Sequence, residues 1–165
     1  VDLGSTTRRF KDLYLSGGVV FNVAGGTGTS TSGTLDDYEE GTWVPALTRV
    51  GASALTYTTQ NGYYTKVGRQ VTVNFYIVIN AVSAQGSSVN IITGLPFTIG
   101  GLAAITHAGS IGLNTGFATA VVQTTMGRGT EPKITFHDNV NGSANLAVDW
   151  VAGGIISGTL SYFIN

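Results

Sequence analysis

The sequence predicts an all-β protein whose main domain is an antiparallel β-sandwich, jelly-roll-like, preceded by a short N-terminal β segment. Short apolar or alternating runs recur along the chain, and Gly, Asn and Pro turn signals separate them. The apolar residues are mostly Val, Ile, Ala, Phe and Tyr, which suit pleated strands. No stretch has the spacing of an amphipathic helix. Many short strands between regular turn signals are typical of a sandwich or a barrel.

The composition bounds both the size and the class of function. With 165 residues the chain is expected to hold one main domain, and 42% hydrophobic residues favour a folded core over disorder. Charged residues make up only 10%, the formal net charge is −1, and cysteine is absent. No basic stripe supports nucleic-acid binding, and no apolar run is long enough for membrane insertion. Because few charges protect the sheet edges, we expect an obligate homo-oligomer.

The N-terminal part of the chain is predicted to be distinct from the main domain. Residues 10–15 are expected to form a short strand, and a second apolar run follows at 19–21. Residues 24–34 contain only Ala, Gly, Ser and Thr, a composition typical of a linker. Residues 35–40 are expected to form a helical turn or a tight loop. The predicted division is an N-terminal segment at 1–23, a linker at 24–34 and a head domain at 35–165.

The first strands of the head domain are predicted from local turn signals. Residues 43–48 alternate around Pro45, which indicates an edge strand or the start of a strand. Residues 55–59 precede Asn61-Gly62, a dipeptide typical of a two-residue hairpin turn. We therefore expect a chain reversal at Asn61-Gly62.

A longer hairpin is predicted directly afterwards. Residues 63–66 and 70–80 flank a turn at Val67-Gly68-Arg69. Alternation within the second of these strands places one set of residues on one face, namely Val73, Phe75, Ile77 and Ile79. The opposite face carries Thr72, Asn74, Tyr76 and Val78. Further strands are predicted at 89–93, 103–113, 117–126, 133–137, 146–151 and 155–164, with a turn at 94–97.

Four blocks of the sequence resemble segments of bacteriophage tail-fibre and receptor-binding proteins, and they occur in the same order. They are LGSTTRRFKDLYLSGG at 3–18, LDDYEEGTWVP at 35–45, YYTKVGRQVTVN at 63–74 and ITGLPF at 92–97. In that family the first block tends to lie in a trimeric shaft, ahead of a distal β domain. The resemblance implies a non-enzymatic homotrimer on the virion, in a tail fibre or spike. Its implied partners are other virion tail proteins and a bacterial surface glycan or outer-membrane receptor.

The N-terminal segment is expected to supply subunit contacts. A short strand with Gly-rich loops cannot form a core alone. Three copies around one axis can, each burying Phe10, Leu13, Leu15 or Val20 against its neighbours. Full burial of one such side chain stabilises by roughly 1.5–3 kcal/mol, and threefold symmetry triples each contact.

An acidic cluster begins at the start of the head domain and consists of Asp36, Asp37, Glu39 and Glu40. Clustered carboxylate oxygens are ligands that Ca²⁺ accepts. The alternative is a structural role, either local or in contacts between subunits. Because the resemblance to the tail-fibre family includes these residues, we predict a contact role at the junction between shaft and head.

The receptor site is predicted in loops of the head domain. The stretch 138–145 is polar and lies between two predicted strands, and loops on a rigid scaffold commonly carry binding sites. Arg128, in a second loop, is a candidate partner for an anionic sugar or phosphate. The predicted receptor-binding residues are Arg128, His137, Asp138, Asn139, Asn141 and Trp150. Further candidates for an aromatic sugar platform are Tyr57, Tyr63, Tyr64 and Tyr76, although alternating aromatic residues in strands usually pack in a core.

No catalytic residue and no cofactor are predicted. The two histidines, His107 and His137, have no cysteine to complete a zinc site, and both are expected at solvent-facing positions or at a subunit contact. A glycosidase needs two carboxylates about 5–9.5 Å apart, and sheet pairing could bring Asp138 and Asp149 together. Two other functions therefore stay open: a purely structural virion protein (a capsid or tail decoration, or a fibre clamp) and a glycan-degrading enzyme.

Overall fold

The computed structural model is all-β, as the sequence predicts. It describes residues 6–8, 10–20, 34–35, 37–49, 55–85, 90–100, 106–117, 123–128, 133–138 and 149–165. Within these ranges every strand pairing is antiparallel, and there is no helix and hence none that could span a membrane. The chain divides into two compact units, Val1–Asp37 and Tyr38–Asn165.

The first unit contains a two-stranded sheet. Strand β1 (Val19–Val20) pairs with β2 (Thr34–Leu35), and Val19 lies opposite Leu35. The strand predicted at 10–15 is wrong, because these residues have no regular secondary structure. A strand is stabilised by hydrogen bonds to a neighbouring strand, and the described part of the chain offers no partner to this segment.

A second correction concerns residues 35–40, for which the sequence predicts a helical turn or a tight loop. Leu35 instead ends β2, and Tyr38 opens strand β3 (Tyr38–Trp43). The Tyr, Thr and Trp side chains of β3 favour a strand, and the strand finds a partner along its whole length. Of the predicted linker at 24–34, Thr34 belongs to β2 and the other residues lie outside the described part of the chain.

The second unit is one antiparallel sheet of nine strands. After β3 these are β4 (Ala46–Thr48), β5 (Leu55–Val67), β6 (Gln70–Val82), β7 (Ile91–Thr93), β8 (Thr106–Asn114), β9 (Gln123–Arg128), β10 (Lys133–Asp138) and β11 (Ile155–Phe163). Their order across the sheet is β3-β5-β6-β11-β8-β9-β10-β7-β4.

The sheet rolls back on itself, because its two outermost strands are consecutive in sequence. Only Val44 and Pro45 separate the end of β3 from the start of β4. Two side chains of β5 bridge to this region: the Tyr57 hydroxyl donates to the Leu47 carbonyl at 2.8 Å, and the Gln60 amide donates to the Pro45 carbonyl at 2.8 Å. The prediction from Pro45 is confirmed, since β4 begins directly after it at the edge of the sheet.

The long hairpin of β5 and β6 forms as predicted. Val67 pairs with Gln70, and the turn consists of Gly68 and Arg69, with Gly68 in the left-handed region at a φ of 54°. The predicted alternation on β6 is also confirmed, because Val73, Phe75, Ile77 and Ile79 are buried while the other face is exposed or half-buried. The rest of the apolar core consists of Trp43, Leu47, Val71, Ile92, Leu95, Ile99, Phe117, Ile134, Phe136, Trp150, Ile156, Leu160 and Tyr162.

The hairpin turn predicted at Asn61-Gly62 is wrong, because β5 runs straight through both residues. Asn61 pairs with Tyr76 and Gly62 with Phe75 on β6. A Cβ atom at Gly62 would lie 2.5 Å from Nε1 of Trp43, so the glycine serves the close approach of an aromatic ring. The dipeptide therefore has a packing role that its local sequence does not distinguish from a turn.

The remaining predicted strands match observed elements where the chain is described. The predictions at 89–93, 103–113, 133–137 and 155–164 correspond to β7, β8, β10 and β11. The strand predicted at 117–126 overlaps β9. Phe117, at its start, forms an isolated bridge with Trp150, which lies in the strand predicted at 146–151. Residues 118–122 and 146–148 lie outside the described ranges.

Candidate functional site

The residues predicted for receptor binding do not form one cluster. Arg128 is the last residue of β9, and His137 and Asp138 end β10. Asp138 pairs with Gln123 at the start of β9, so Arg128 lies at the other end of this strand pair, about 16 Å away at 3.3 Å per residue. Asn139 and Asn141 lie outside the described residues.

Trp150, the sixth of these residues, is 3% exposed and belongs to the core. The Gln85 side chain forms two hydrogen bonds to the Trp150 backbone. Its amide nitrogen donates to the Trp150 carbonyl at 3.0 Å, and its amide oxygen accepts from the Trp150 N–H at 2.8 Å. The Arg49 guanidinium lies 5.6 Å from the centre of the indole ring and 3.5 Å from the Asp149 carboxylate. The ring is therefore a packing element, and Asp149 forms an ion pair with a buried cation.

The histidine prediction is corrected at one of its two positions. His107 is 8% exposed and faces the core, with its ring centre 6.5 Å from that of Tyr162 and 6.1 Å from that of Phe163. The alternation of β8 places this position on the inner side, together with Ile111, which packs against the core. A solvent-facing role for His107 is therefore wrong.

The residues predicted for subunit contacts are exposed wherever the structure describes them. In the first unit, Phe10, Leu13 and Leu15 are 64%, 60% and 53% exposed. Of the acidic cluster, Asp37, Glu39 and Glu40 are exposed, and Asp36 lies outside the described residues.

Glu39 and Glu40 point to opposite faces of β3. Glu39 accepts a short hydrogen bond from the Tyr64 hydroxyl, and Glu40 accepts one from the Tyr38 hydroxyl at 2.9 Å. These bonds to carboxylates, strengthened by the negative charges, raise the pKa of both tyrosines above the usual value. Among the described residues, no group of three or more His, Asp or Glu side chains is placed to hold a metal ion.

One described surface of the second unit is the side of the sheet that faces away from the core. Strand pairing arranges its side chains in four rows across β3, β5, β6, β11 and β8, which we call the outer face. The first two rows are Tyr38, Val67, Gln70 and Phe163, then Glu40, Thr65, Thr72 and Ser161. The next two are Thr42, Tyr63, Asn74 and Thr159, then Asn61, Tyr76, Ser157 and Leu113.

Four residues of the outer face form a compact group, which we call the Tyr–Asn square. Tyr63 lies opposite Asn74, and Asn61 lies opposite Tyr76, so the two aromatic rings occupy one diagonal and the two amides the other. All four are exposed, with Tyr63 at 62% and Tyr76 at 39%. Directly opposed and diagonal side chains on one sheet face are within reach of one another.

A shallow open groove of about 380 Å³ adjoins the Tyr–Asn square between β3 and β5. The outer-face residues that line it are Glu40, Thr42, Tyr63 and Thr65, and Gly41 and Tyr64 complete the lining. The groove therefore combines the exposed Tyr63 ring with its hydroxyl group, the Glu40 carboxylate and two threonine hydroxyl groups.

The inner side of the same strand pair fixes its register. The Trp43 ring covers Gly62 directly opposite, and the Tyr64 ring covers Gly41. The Trp43 indole N–H also donates to the Asn74 carbonyl on β6 at 3.2 Å. Because a slip by one residue would move both rings to the outer side, these contacts hold the groove residues in place.

The outer face is almost uncharged. Glu40 is the only charged residue in its four rows. The nearest lysine along β5, Lys66, is buried on the inner side with its ammonium group 5.6 Å from the centre of the Phe97 ring. Arg69, in the turn after β5, donates from Nε to the Ile164 carbonyl at 2.9 Å.

Sequence reasoning identified part of this surface. Tyr63 and Tyr76 were among the candidates for an aromatic platform, and the alternation of β6 places Asn74 on the same face as Tyr76. Asn61 was missed because Asn61-Gly62 was interpreted as a turn. Thr42 was missed because pairing between β3 and β5 is not visible in the sequence.

No family model matches the sequence, and no curated protein matches it.

Proposed function

We propose that this chain is the distal, non-enzymatic module of a bacteriophage tail fibre or spike, which acts as a homotrimer and attaches the virion to the bacterial surface. The observation that carries the proposal is the outer face, a nearly uncharged and largely exposed surface of the sheet on which aromatic, amide and hydroxyl side chains predominate. Such a surface suits recognition of a glycan, and the four sequence blocks that resemble tail-fibre proteins supply the biological setting.

The proposed architecture of the head is a β-sandwich, jelly-roll-like. The consecutive outermost strands β3 and β4 support it, because a sheet whose edges meet folds its one apolar face inward. Two layers of such a sheet, packed about 10 Å apart, enclose a core of this kind.

The proposed homotrimer is supported by the exposed apolar residues of the first unit. Phe10, Leu13, Tyr14 and Leu15 are between 53% and 91% exposed within six residues of chain. A second and a third copy are the simplest cover for such a segment, since isolated exposed apolar residues are ordinary but contiguous ones mark an interaction site.

A purely structural virion role is the second candidate, and the first row of the outer face favours it. Tyr38, Val67 and Phe163 are 61%, 46% and 52% exposed and lie in register with Gln70 between them. If a neighbouring subunit or another tail protein covers this row, the row has an assembly role that does not involve a receptor.

The deciding experiment is light scattering on the purified chain, followed by adsorption of the same sample to whole host cells. The proposal expects a mass of three chains, binding to cells and competition with phage attachment. A trimer that does not bind cells would favour the structural role. A stable monomer would contradict the homotrimeric attachment module.

A further inference from the structure

We infer that the Tyr–Asn square and the adjoining groove form a binding site for an uncharged oligosaccharide. This inference rests on the proposed function and deepens it, because it assigns the glycan contact to strands β3, β5 and β6 rather than to the loops that the sequence indicated.

The aromatic rings provide the apolar part of the site. Tyr63 is 62% exposed and stands at the boundary between the square and the groove. A tyrosine combines an apolar ring with a polar hydroxyl group, so it can stack on the C–H face of a sugar ring and still bond to a hydroxyl at its edge. Tyr76, at the other end of the same diagonal, offers a second ring to a neighbouring sugar.

The polar groups around the rings match the hydroxyl groups of a sugar. Each side-chain amide of Asn61 and Asn74 provides both donors and an acceptor, and a sugar hydroxyl group needs both. Glu40 accepts from the Tyr38 hydroxyl through one carboxylate oxygen, and no hydrogen bond to its other oxygen is seen in the described part of the chain. That oxygen can accept a charge-assisted hydrogen bond from a sugar hydroxyl group.

The charge of the face selects an uncharged ligand. A cation, most often arginine, forms the strongest hydrogen bonds to the carboxylates and phosphates of sialic acids, uronic acids and phosphorylated sugars. The rows of the outer face carry the Glu40 carboxylate and no cation, and Lys66 is buried on the inner side. The exposed Arg69 lies in the turn between β5 and β6, six positions along the chain from Tyr63. An acidic sugar in the groove would meet a like charge, whereas a neutral one would not.

The site is also held in shape before any ligand binds. The two glycine–aromatic contacts beneath β3 and β5 fix the register, and the Trp43 N–H bond to Asn74 ties β6 to the same arrangement. A preformed site loses less conformational freedom on binding, which favours affinity for a flexible sugar chain.

The test uses the full chain on immobilised chitotriose, maltotriose and cellotriose, with sialyllactose and trigalacturonate as acidic counterparts. The variants are Tyr63→Ala and Glu40→Gln, and Tyr63→Phe is the matched control because it keeps the ring. We expect at least one neutral sugar to bind, Tyr63→Ala to weaken that binding about tenfold or more, and Tyr63→Phe to change it by less than about threefold. Glu40→Gln should narrow the preference for neutral over acidic sugars.

The light-scattering mass of each variant separates the possible outcomes. Wild-type binding that Tyr63→Ala leaves unchanged at an unchanged mass would overturn the site and leave the proposed attachment function standing. Sugar binding that depends on Tyr63 without adsorption to host cells would support the site and contradict attachment. If no neutral sugar binds and Tyr63→Ala dissociates the assembly, the face is covered by a second copy of this chain and the inference is wrong.

Discussion

Two glycines in the first strand pair of the head lie under aromatic rings from the opposite strand. A Cβ atom at Gly62 would be 2.5 Å from the Trp43 ring, and one at Gly41 would be 2.8 Å from the Tyr64 ring. Each glycine stands directly opposite its ring in the β3–β5 register. A glycine in a strand normally weakens it, but covering by an aromatic neighbour recovers part of that loss.

The first prediction follows from this contact. Gly62→Ala should lower the free energy of unfolding by about 1–3 kcal/mol, because the added methyl group forces the Trp43 ring or the backbone of β5 to shift. The measurement is urea unfolding followed by tryptophan fluorescence. Gly112→Ala is the matched control, since its Cβ would meet nothing closer than the Ser157 hydroxyl at 4.0 Å, and it should change stability by less than about 0.5 kcal/mol. If both substitutions changed the free energy of unfolding by the same amount, the contact with the Trp43 ring would not be the reason for glycine at position 62.

At the scale of single residues, the sequence predicts burial better than it predicts contacts. Period-two alternation correctly assigned Val73 to the core side of β6 and Asn74 to the opposite side. The same local view misassigned Asn61-Gly62, because a turn glycine and a ring-covered glycine have the same neighbours in sequence. Only the partner strand, nineteen positions away at Trp43, distinguishes them.

The last strand, β11, and the residue after it form hydrogen bonds to two other parts of the second unit, one of which is the segment that follows β7. The Gly100 N–H donates to the Phe163 carbonyl at 2.7 Å, and the Tyr162 hydroxyl donates to the Phe97 carbonyl at 3.1 Å. The Ile164 N–H, directly after β11, donates at 2.9 Å to the carbonyl of Arg69, which lies in the turn between β5 and β6. The end of the chain therefore joins elements that are distant in the sheet order.

The buried Tyr162 hydroxyl group predicts that the free energy of unfolding falls at alkaline pH. Burial raises the pKa of Tyr162 to about 12, against 10.0 for an ordinary tyrosine. A group whose folded-state pKa is raised contributes stability below the unfolded pKa and loses it as the pH rises toward the folded pKa. The free energy of unfolding should therefore fall between pH 10 and pH 12, with a slope from this residue of at most about 1.4 kcal/mol per pH unit.

The measurement for this prediction is a series of urea unfolding curves from pH 8 to pH 12 on the wild type and on Tyr162→Phe. The variant lacks the bond to Phe97 and should be less stable at pH 8, but its curve should be flatter above pH 10. Other tyrosines titrate in both proteins, so the difference between the two curves isolates Tyr162. Parallel curves would contradict the assignment.

At the scale of elements, strands of the head were predictable where turns and alternation are local. The β5–β6 hairpin has both signals, and its turn and faces were correct. The predicted strand at 10–15 has suitable residues but no partner in the described chain, and a strand exists only through its partner. The composition of a segment does not state whether that partner exists.

For the whole molecule, the decisive feature is that the first and last strands in the sheet order are neighbours in sequence. Local patterns do not encode this order, because β3 pairs with β5 and β4 with β7 across long stretches of chain. The all-β class of the fold was therefore predictable from the sequence, while the strand order that assembles the outer face was not. The predicted receptor loops follow from polar composition between strands, a local signal that does not indicate which aromatic rings the strand pairing brings together.

The division into two units leads to a prediction about which part folds and which part assembles. Every buried apolar side chain of the described core lies between Trp43 and Tyr162, within the second unit. A chain shortened to residues 38–165 should therefore keep cooperative unfolding and the fluorescence of buried tryptophan. The exposed apolar residues Phe10, Leu13 and Leu15 lie in the first unit. The shortened chain should therefore have the light-scattering mass of one chain, whereas the proposed trimer of the full chain should have that of three. The matched control is the full chain with Leu13→Ser and Leu15→Ser, which should lose assembly in the same way while it keeps all its residues.

A shortened chain that still forms trimers would place the subunit contacts on the head, and the exposed row of Tyr38, Val67 and Phe163 would then be the first surface to substitute.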